Sequence, residues 1–349
     1  MNLNWFLLLI PLALGLSAFD ADPVLTFFVS ALTVIPLAQW LGDATEELAH
    51  DLGPSLGGLL NATMGTIPDI IIGIFALRHG LVEVVKAAIT GSIVGNLLLG
   101  LGLAILLGGH RHPRGLRFDQ TATHFLGGLM LLATIGLMIP AIFDFSTVTE
   151  TEISLEVSVV LAATYALSVI FTLTSPPDEV DMSLLHAAKA PNPLMPRRRR
   201  GLVILVLVLA TTLLALMSEV LTEAVEPAAK VMGLTPVFTG IFLLAPVGGA
   251  VELINAVRFA RRDKLDLALA TTMGSGTQMA LLAAPCLVFT GLALGQPMNL
   301  LFGEFQVVAI LLAMAAVNNV LNIGRVRWIS GAKLIAVYAM LGIGFYYQP

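Results

Sequence analysis

The chain has little charge. Of its 349 residues, 12% are Asp, Glu, Lys or Arg, and the formal balance is −5. That excludes a basic domain for nucleic acid and leaves too little polar surface to keep a chain of this length in water. Cysteine is nearly missing. Cys286 stands alone in an apolar run, which rules out an intrachain disulfide framework and a thiolate metal cluster. The six histidines (His50, His79, His110, His112, His124 and His186) fall in predicted loops or at span ends, none at metal-ligand spacing from another candidate. The apolar start, M1-NLNWFLLLIPLALGLSAFDAD, lacks a basic n-region, so it reads as a first membrane helix and not as a signal peptide.

What remains is apolar. The hydrophobic fraction is 57%, the mean hydropathy is +0.91, and apolar runs near or above 18 residues recur along the chain. Such runs match the length needed to cross a bilayer as helix. The sequence predicts an all-α integral membrane protein of about eleven transmembrane helices, near 3–19, 24–48, 54–77, 81–107, 120–141, 152–174, 200–222, 233–257, 264–290, 302–321 and 328–347. The one long polar stretch, 175–200, runs from S-P-P-D-E-V-D to P-R-R-R-R and reads as a cytoplasmic linker. The expected organisation is a first helix (1–23), a first repeat of spans 2–6 (24–174), the linker (175–200), and a second repeat of spans 7–11 (201–349).

Basic residues orient this topology. Loops after even-numbered spans carry fourteen Lys or Arg, and loops after odd-numbered spans carry only Arg78 and Lys230. By the positive-inside rule the N-terminus lies in the cytoplasm and the C-terminus outside. With no targeting segment recognised, a prokaryotic cytoplasmic membrane is the expected location, and the bilayer the expected surroundings.

Within this frame the chain repeats itself. G65-T-I-P-D69 and G248-G-A-V-E252 each place an acid four residues after a glycine, 183 residues apart. The same offset maps Arg78 onto Arg261, Glu83 onto Asp266 and Gly91-Ser92 onto Gly274-Ser275. Spans 3 and 8 carry the acids and run in opposite directions, so the two five-helix units form an inverted-topology repeat. That architecture puts an ion site near the bilayer midplane, between the halves. A carboxylate in hydrocarbon costs about 2.5–3.5 kcal/mol on insertion scales, so two matched ones point to use.

Asp69 and Glu252 are therefore the candidate cation-binding and proton-exchanging residues, and the candidate metal ligands. No basic residue in spans 3 or 8 is placed to pair with them, so without a cation they would neutralise by taking protons. Gly65, Pro68, Gly248 and Gly249 should break both helices beside the acids and free backbone carbonyls. Those carbonyls are hard oxygen ligands of the type calcium accepts, six to eight at a time. Thr66, Ser92, Asn96, Ser275 and Gln278 share the faces that would support the site. Two acidic groups, Glu46 with Glu47 and Glu219 with Glu223 and Glu226, would line an access path or end their helices in water. Glu83 and Asp266 open spans 4 and 9, where acids complement the helix dipole.

Several stretches resemble one family. E46-E-L-A-H-D-L-G-P-S-L-G-G-L-L-N-A-T-M-G65 and G80-L-V-E-V-V-K-A-A-I-T-G-S-I-V-G-N-L-L-L-G100 look like the first repeat of calcium/proton antiporters, the CAX family. S218-E-V-L-T-E-A-V-E-P, A245-P-V-G-G-A-V-E252, D266-L-A-L-A and G274-S-G-T-Q278 look like the second. The resemblance implies eleven spans, a divalent site built on the two repeat acids, and Ca2+ leaving in exchange for H+ as spans 1, 2, 6 and 7 rock against the rest. It implies no cofactor beyond the transported ions. The chain departs from the family pattern at Thr66 and Gly249, where asparagine is usual, at Asp69 for glutamate, and at Leu253 for histidine. T66-I-P-D69 also resembles a motif of sodium/calcium exchangers, so a Na+-coupled exchanger, or one for another divalent cation on the same fold, stays open. An intramembrane aspartyl protease would need a Y-D and a G-x-G-D pair, which this chain lacks. A passive channel is disfavoured by two broken helices in inverted halves. Oligomeric state is left open.

Overall fold

In the computed structural model of the protein, residues 3–19, 21–142, 150–174, 197–322 and 324–348 are described, with backbone alone at 3–4, 49–62, 142, 172–173 and 197–199. The expected linker lies almost wholly outside the described residues, as do His186 and the side chain of His50.

The described chain is almost entirely helical. A 3-10 run, Leu3–Leu9, leads into α1 (Ile10–Ala18), then α2 (Pro23–Met64), α3 (Ile67–Arg78) and α4 (Val82–Val94). A π turn, Gly95–Gly100, joins α4 to α5 (Leu101–Arg111). A short strand β1 (Leu116–Arg117) precedes α6 (Gln120–Ile142) and α7 (Glu150–Thr174). The second half comprises α8 (Arg197–Met232), α9 (Pro236–Phe238), a π turn (Thr239–Leu244), α10 (Ala245–Gly248) and α11 (Ala250–Arg261). It continues with α12 (Leu265–Gln278), a π turn (Met279–Ala283), α13 (Ala284–Ala293), α14 (Glu304–Leu321), β2 (Arg325–Val326) and α15 (Trp328–Tyr347).

Among the described residues eight helices are long and apolar enough to cross a membrane, or nine if the bent pair Pro236–Gly248 and Ala250–Arg261 is one span. The protein is an integral membrane protein by this length and composition. Two of the eleven expected spans differ in form. The first is a shorter apolar helix, Trp5–Ala18. The third is divided between the end of α2 and the 12-residue α3, because the chain breaks at Gly65–Thr66. The loop expected at 49–53 is helical, so α2 runs for 42 residues. Straight, it would hold Gly42 and Met64 about 33 Å apart. Both line one cavity, so α2 is sharply bent between them.

Element bounds recur at the 183-residue offset read from the sequence. Ile67–Arg78 is matched by Ala250–Arg261, the start of α4 at Val82 by Leu265, and the start of α5 at Leu101 by Ala284. The π turns Gly95–Gly100 and Met279–Ala283 end at matched residues. Gly80 and Asp263, also matched, both have positive φ, 74° and 61°. Asp263 tolerates the left-handed region because its short polar side chain fits there.

Packing divides the helices into two groups. Phe27, Val34, Leu37 and Leu41 of α2 bury against Leu214, Met217, Leu221 and Val225 of α8, with Ala13 of α1 beside them. The other group is cored by Ile89, Ile93, Leu97, Leu101, Leu269, Leu281 and Leu287, and includes α6, α7, α14 and α15. The rocking group implied by the family resemblance contained span 6; here that span is α7, which packs through Leu161 and Tyr165 with the second group.

Candidate cation site

Two helix breaks build the site. α2 stops at Met64, Gly65 and Thr66 turn, and α3 begins at Ile67. α10 stops at Gly248, Gly249 turns, and α11 begins at Ala250, with the axis bent by 60°. Pro68 sits in the first turn of α3, where its missing N–H costs nothing. Each acid lies in the first turn of its new helix. There unpaired backbone N–H groups and the helix dipole favour negative charge.

The acids cross over. The Asp69 carboxylate lies so close to Gly248 that a Cβ at 248 would overlap it. A Cβ at Gly65 would stand 3.5 Å from Glu252 Oε1. Each acid thus faces the glycine that precedes the other acid, and the two carboxylates are near enough to interact electrostatically. Only glycine at 248 leaves the first carboxylate its place.

Neutral oxygens surround the pair. Asn96 is carried inward on the π turn and donates through Nδ2 to Ser275 Oγ at 3.1 Å. This leaves Asn96 Oδ1 buried without a hydrogen-bond partner, as is Glu252 Oε2. Ser92 borders the same small void as Asp69, and Asn96 Oδ1 lies 3.7 Å from where a Gly249 Cβ would stand. Burying such oxygens without partners costs about 1–3 kcal/mol each. A cation gathering them would repay that cost. The Thr66 hydroxyl is buried and donates to the Thr63 carbonyl at 3.0 Å, closing the end of α2. Among the described residues no group of three or more His, Cys, Asp or Glu side chains gathers. Any coordination at this site therefore draws on two carboxylates and uncharged oxygens.

The two carboxylates border different spaces. A cavity of about 240 Å³ is lined by Gln39, Gly42, Asp43 and Glu46 of α2, by Glu252 and Asn255 of α11, and by Thr271, Gly274, Ser275 and Gln278 of α12. It reaches Glu252 and Gly65 but not Asp69. Asp69 borders a separate void of about 20 Å³, walled by Ile72, Val85, Ile89, Leu244, Met279 and Leu287. The matched glycines Gly91 and Gly274 report the same asymmetry. A Cβ at 91 would come within 2.6 Å of the Ile241 backbone, whereas one at 274 would meet nothing within 4 Å.

Of the outer acids expected along a path, Glu46 lines the cavity. Glu47, Glu219, Glu223 and Glu226 do not line it. Glu219 pairs with Arg78 and His79, each at 3.5 Å, Glu223 accepts from Ser17 at 3.4 Å, and Glu226 pairs with Lys230 at 2.6 Å. Glu83 pairs with Lys86 at 3.3 Å, and Asp266 accepts from the backbone of Asp119 at 2.7 Å. Reading the sequence missed Gln39, Asp43 and Asn255. Gln39, Asp43 and Glu46 stand four and three apart, one helix face, and Asp43 is matched by an acid, Glu226, at the repeat offset. Asn255 lies three residues after Glu252 on the same face.

The chain matches a known family over most of its length. The family of sodium/calcium exchanger proteins matches residues 23–174 and 202–347. A relative from Synechocystis sp., named Ca(2+)/H(+) antiporter, is 37% identical over 339 residues, covering 93% of this chain and 91% of the relative. The Ca(2+)/H(+) antiporter ChaA of Bacillus subtilis is 32% identical over 351 residues, 99% of each chain. The solved structure of native YfkE superposes with a TM-score of 0.82 at 30% identity, covering 98% of this chain and 100% of that one. The H+/Ca2+ exchanger CAX superposes with a TM-score of 0.75 at 18% identity over 99% of this chain and 91% of that one, a likeness of fold. The chain belongs to the sodium/calcium exchanger protein family.

Proposed function

We propose that the protein is a secondary active antiporter that exchanges Ca2+ for H+ by alternating access at Asp69 and Glu252. The observation that carries this reading is the crossed pair itself: two acids on two broken helices, each against the other's glycine, amid the partnerless oxygens of Asn96 and Glu252. Ca2+, the substrate, would be held by the two carboxylates, by Asn96 Oδ1, and by carbonyls freed near Gly65 and Gly248. Calcium tolerates such mixed, irregular oxygen shells. With Ca2+ gone, two carboxylates this close and without a basic partner hold protons instead. One site then takes either the divalent ion or protons, which is the condition for exchange. Relatives named as Ca(2+)/H(+) antiporters support the choice of ions.

The finer architecture belongs to the same reading. Eleven spans form an extra first helix and two inverted repeats, 24–174 and 201–349, joined by a cytoplasmic linker at 175–200. The N-terminus faces the cytoplasm and the C-terminus the outside, in a prokaryotic cytoplasmic membrane. The cavity at Asp43, Asn255 and Thr271 then opens to the cytoplasm. Supporting residues are Gly65, Thr66, Ser92, Asn96, Gly248, Gly249, Ser275 and Gln278, with Glu46 and Asp43 on the cytoplasmic approach. Glu47 lies midway along α2, and Glu219, Glu223 and Glu226 in the C-terminal part of α8, the two long helices that would move. Sliding of α1, α2 and α8 against the rest would close the cavity at Gly274. The transported ions are the whole cofactor requirement.

Proton release on calcium binding tests this. Purified protein in weakly buffered detergent, titrated with Ca2+ under a pH indicator, should acidify the solution, and Glu252→Gln and Asp69→Asn should each reduce the released protons. Calcium binding with no proton release in the unmodified protein contradicts proton exchange at this site.

A further inference from the structure

A second cavity, of about 250 Å³, lies between α6 and α14, away from the cation site. Its two ends differ. At one end are Gln120, His124, Asn318 and Asn322, spaced by four along their chains and all exposed. The other end is apolar, with buried Leu97, Met130 and Met273, and exposed Leu131 at its edge. Gly127 and Gly128 hold the cleft open, since a Cβ at either would meet nothing within 4 Å. From Gln120 to Leu131 along α6 is about 16 Å, close to half the hydrocarbon thickness of a bilayer. The cavity, polar mouth included, is thus about as long as one leaflet is deep, with an apolar inner end.

Two arginines lie on the strand pair beside the mouth, outside the lining of the cavity itself. β1 and β2 pair antiparallel with Arg117 directly opposite Arg325. Both are exposed, and among the described residues neither has an ion pair. Like charges placed directly across a strand pair repel. The arrangement is nevertheless held firmly. Phe118 N–H donates to the Gly324 carbonyl at 3.3 Å, and Gln120 Nε2 donates to the Asn322 carbonyl at 3.1 Å. Arg325 lies across Gly115, whose φ of 88° only glycine adopts readily. Arg117 precedes Gln120 by three residues and Arg325 follows Asn322 by three, so both flank the cavity's polar rim. Two guanidinium groups without an ion pair among the described residues, beside a cleft with one apolar end, fit an anion with a hydrocarbon tail, even with Asp119 and Asp266 close to Arg117.

We propose that this cleft is a binding site for an anionic phospholipid, its phosphate held between Arg117 and Arg325 and one acyl chain lying between α6 and α14. The site bears on the transport centre from behind. Leu97 adjoins Asn96, Met273 lies two residues before Ser275, and Met130 Sδ accepts from the Thr277 hydroxyl at 3.4 Å. An acyl chain there braces the helices that carry the Asn96–Ser275 hydrogen bond.

Native mass spectrometry of the full chain in detergent, with equal dioleoylphosphatidylglycerol and dioleoylphosphatidylcholine added, tests the proposal without reference to transport. The unmodified protein should retain the phosphatidylglycerol about tenfold over the phosphatidylcholine, a modest yield for two guanidinium contacts. Arg117→Gln with Arg325→Gln should remove that preference. Gly128→Leu, which fills open space, should lower retention of phosphatidylglycerol with both arginines in place. Glycerol phosphate at the same concentration should not displace the lipid. Equal retention of the two lipids, an unchanged preference in the double variant, or full displacement by glycerol phosphate would each overturn the site as drawn. Gel filtration and calcium binding of the variants report their folding independently.

Discussion

The central pair, Asp69 and Glu252, gives the account its sharpest residue-level tests. Removing either charge should lower calcium transport by about 100-fold, the cost of losing a charge-assisted ligand worth about 3 kcal/mol. Flux in liposomes containing Asp69→Asn or Glu252→Gln checks this, with gel filtration as the folding control. The glycines make a second, graded test. Gly248→Ala should lower transport severely because its Cβ overlaps the Asp69 carboxylate, while Gly65→Ala should be milder because its Cβ meets Glu252 at an ordinary 3.5 Å. Equal activity of the two alanine variants would contradict the crossed packing. Both acids were legible in the sequence because a charge inside an apolar run is conspicuous and the two obey one offset. Asn96 and Ser275 were legible as polar faces, but their mutual hydrogen bond was not, since spacing along one helix says nothing about which helix faces it. A double-mutant cycle on Asn96→Ala and Ser275→Ala should return a coupling of about 1 kcal/mol.

At the scale of elements, breaks and close approaches decide what the helices can do. α4 presses Gly91 on the Thr239–Leu244 turn, and the matched Gly274 faces open space. In a background where the half-buried Cys286 is replaced by serine, Thr271→Cys should react with a water-soluble thiol reagent and Ala88→Cys should not. Thr271 lines the large cavity, whereas Ala88 borders only the void of about 20 Å³. Fast labelling at both positions in one state would contradict single-sided access. Span positions such as Gln120, Glu304 and Trp328 were readable because apolar runs begin there beside polar residues. The three π turns were not, because one extra residue in a helical turn leaves the apolar period almost unchanged. Nor was the helical course of 49–53, where Gly53-Pro54 reads locally as a break.

The whole molecule consists of two packing groups that share one site. α1, α2 and α8 form one group, and most of the remaining helices the other, with Glu46 and Asp43 carried by the first and Glu252, Asn96 and Ser275 by the second. Exchange follows if the groups move only when the two carboxylates are neutralised, by Ca2+ or by protons. A bare pair of negative charges would carry an uncompensated cost through the dry intermediate. The choice of coupling ion is the central claim, because T66-I-P-D69 leaves sodium as the competing partner at the level of sequence. The direct measurement is uptake of radioactive Ca2+ into liposomes containing the purified protein, with a proton gradient and a sodium gradient imposed separately. The account predicts uphill calcium movement driven by the proton gradient alone, with no gain from sodium. Calcium movement that requires the sodium gradient and ignores the proton gradient would contradict it.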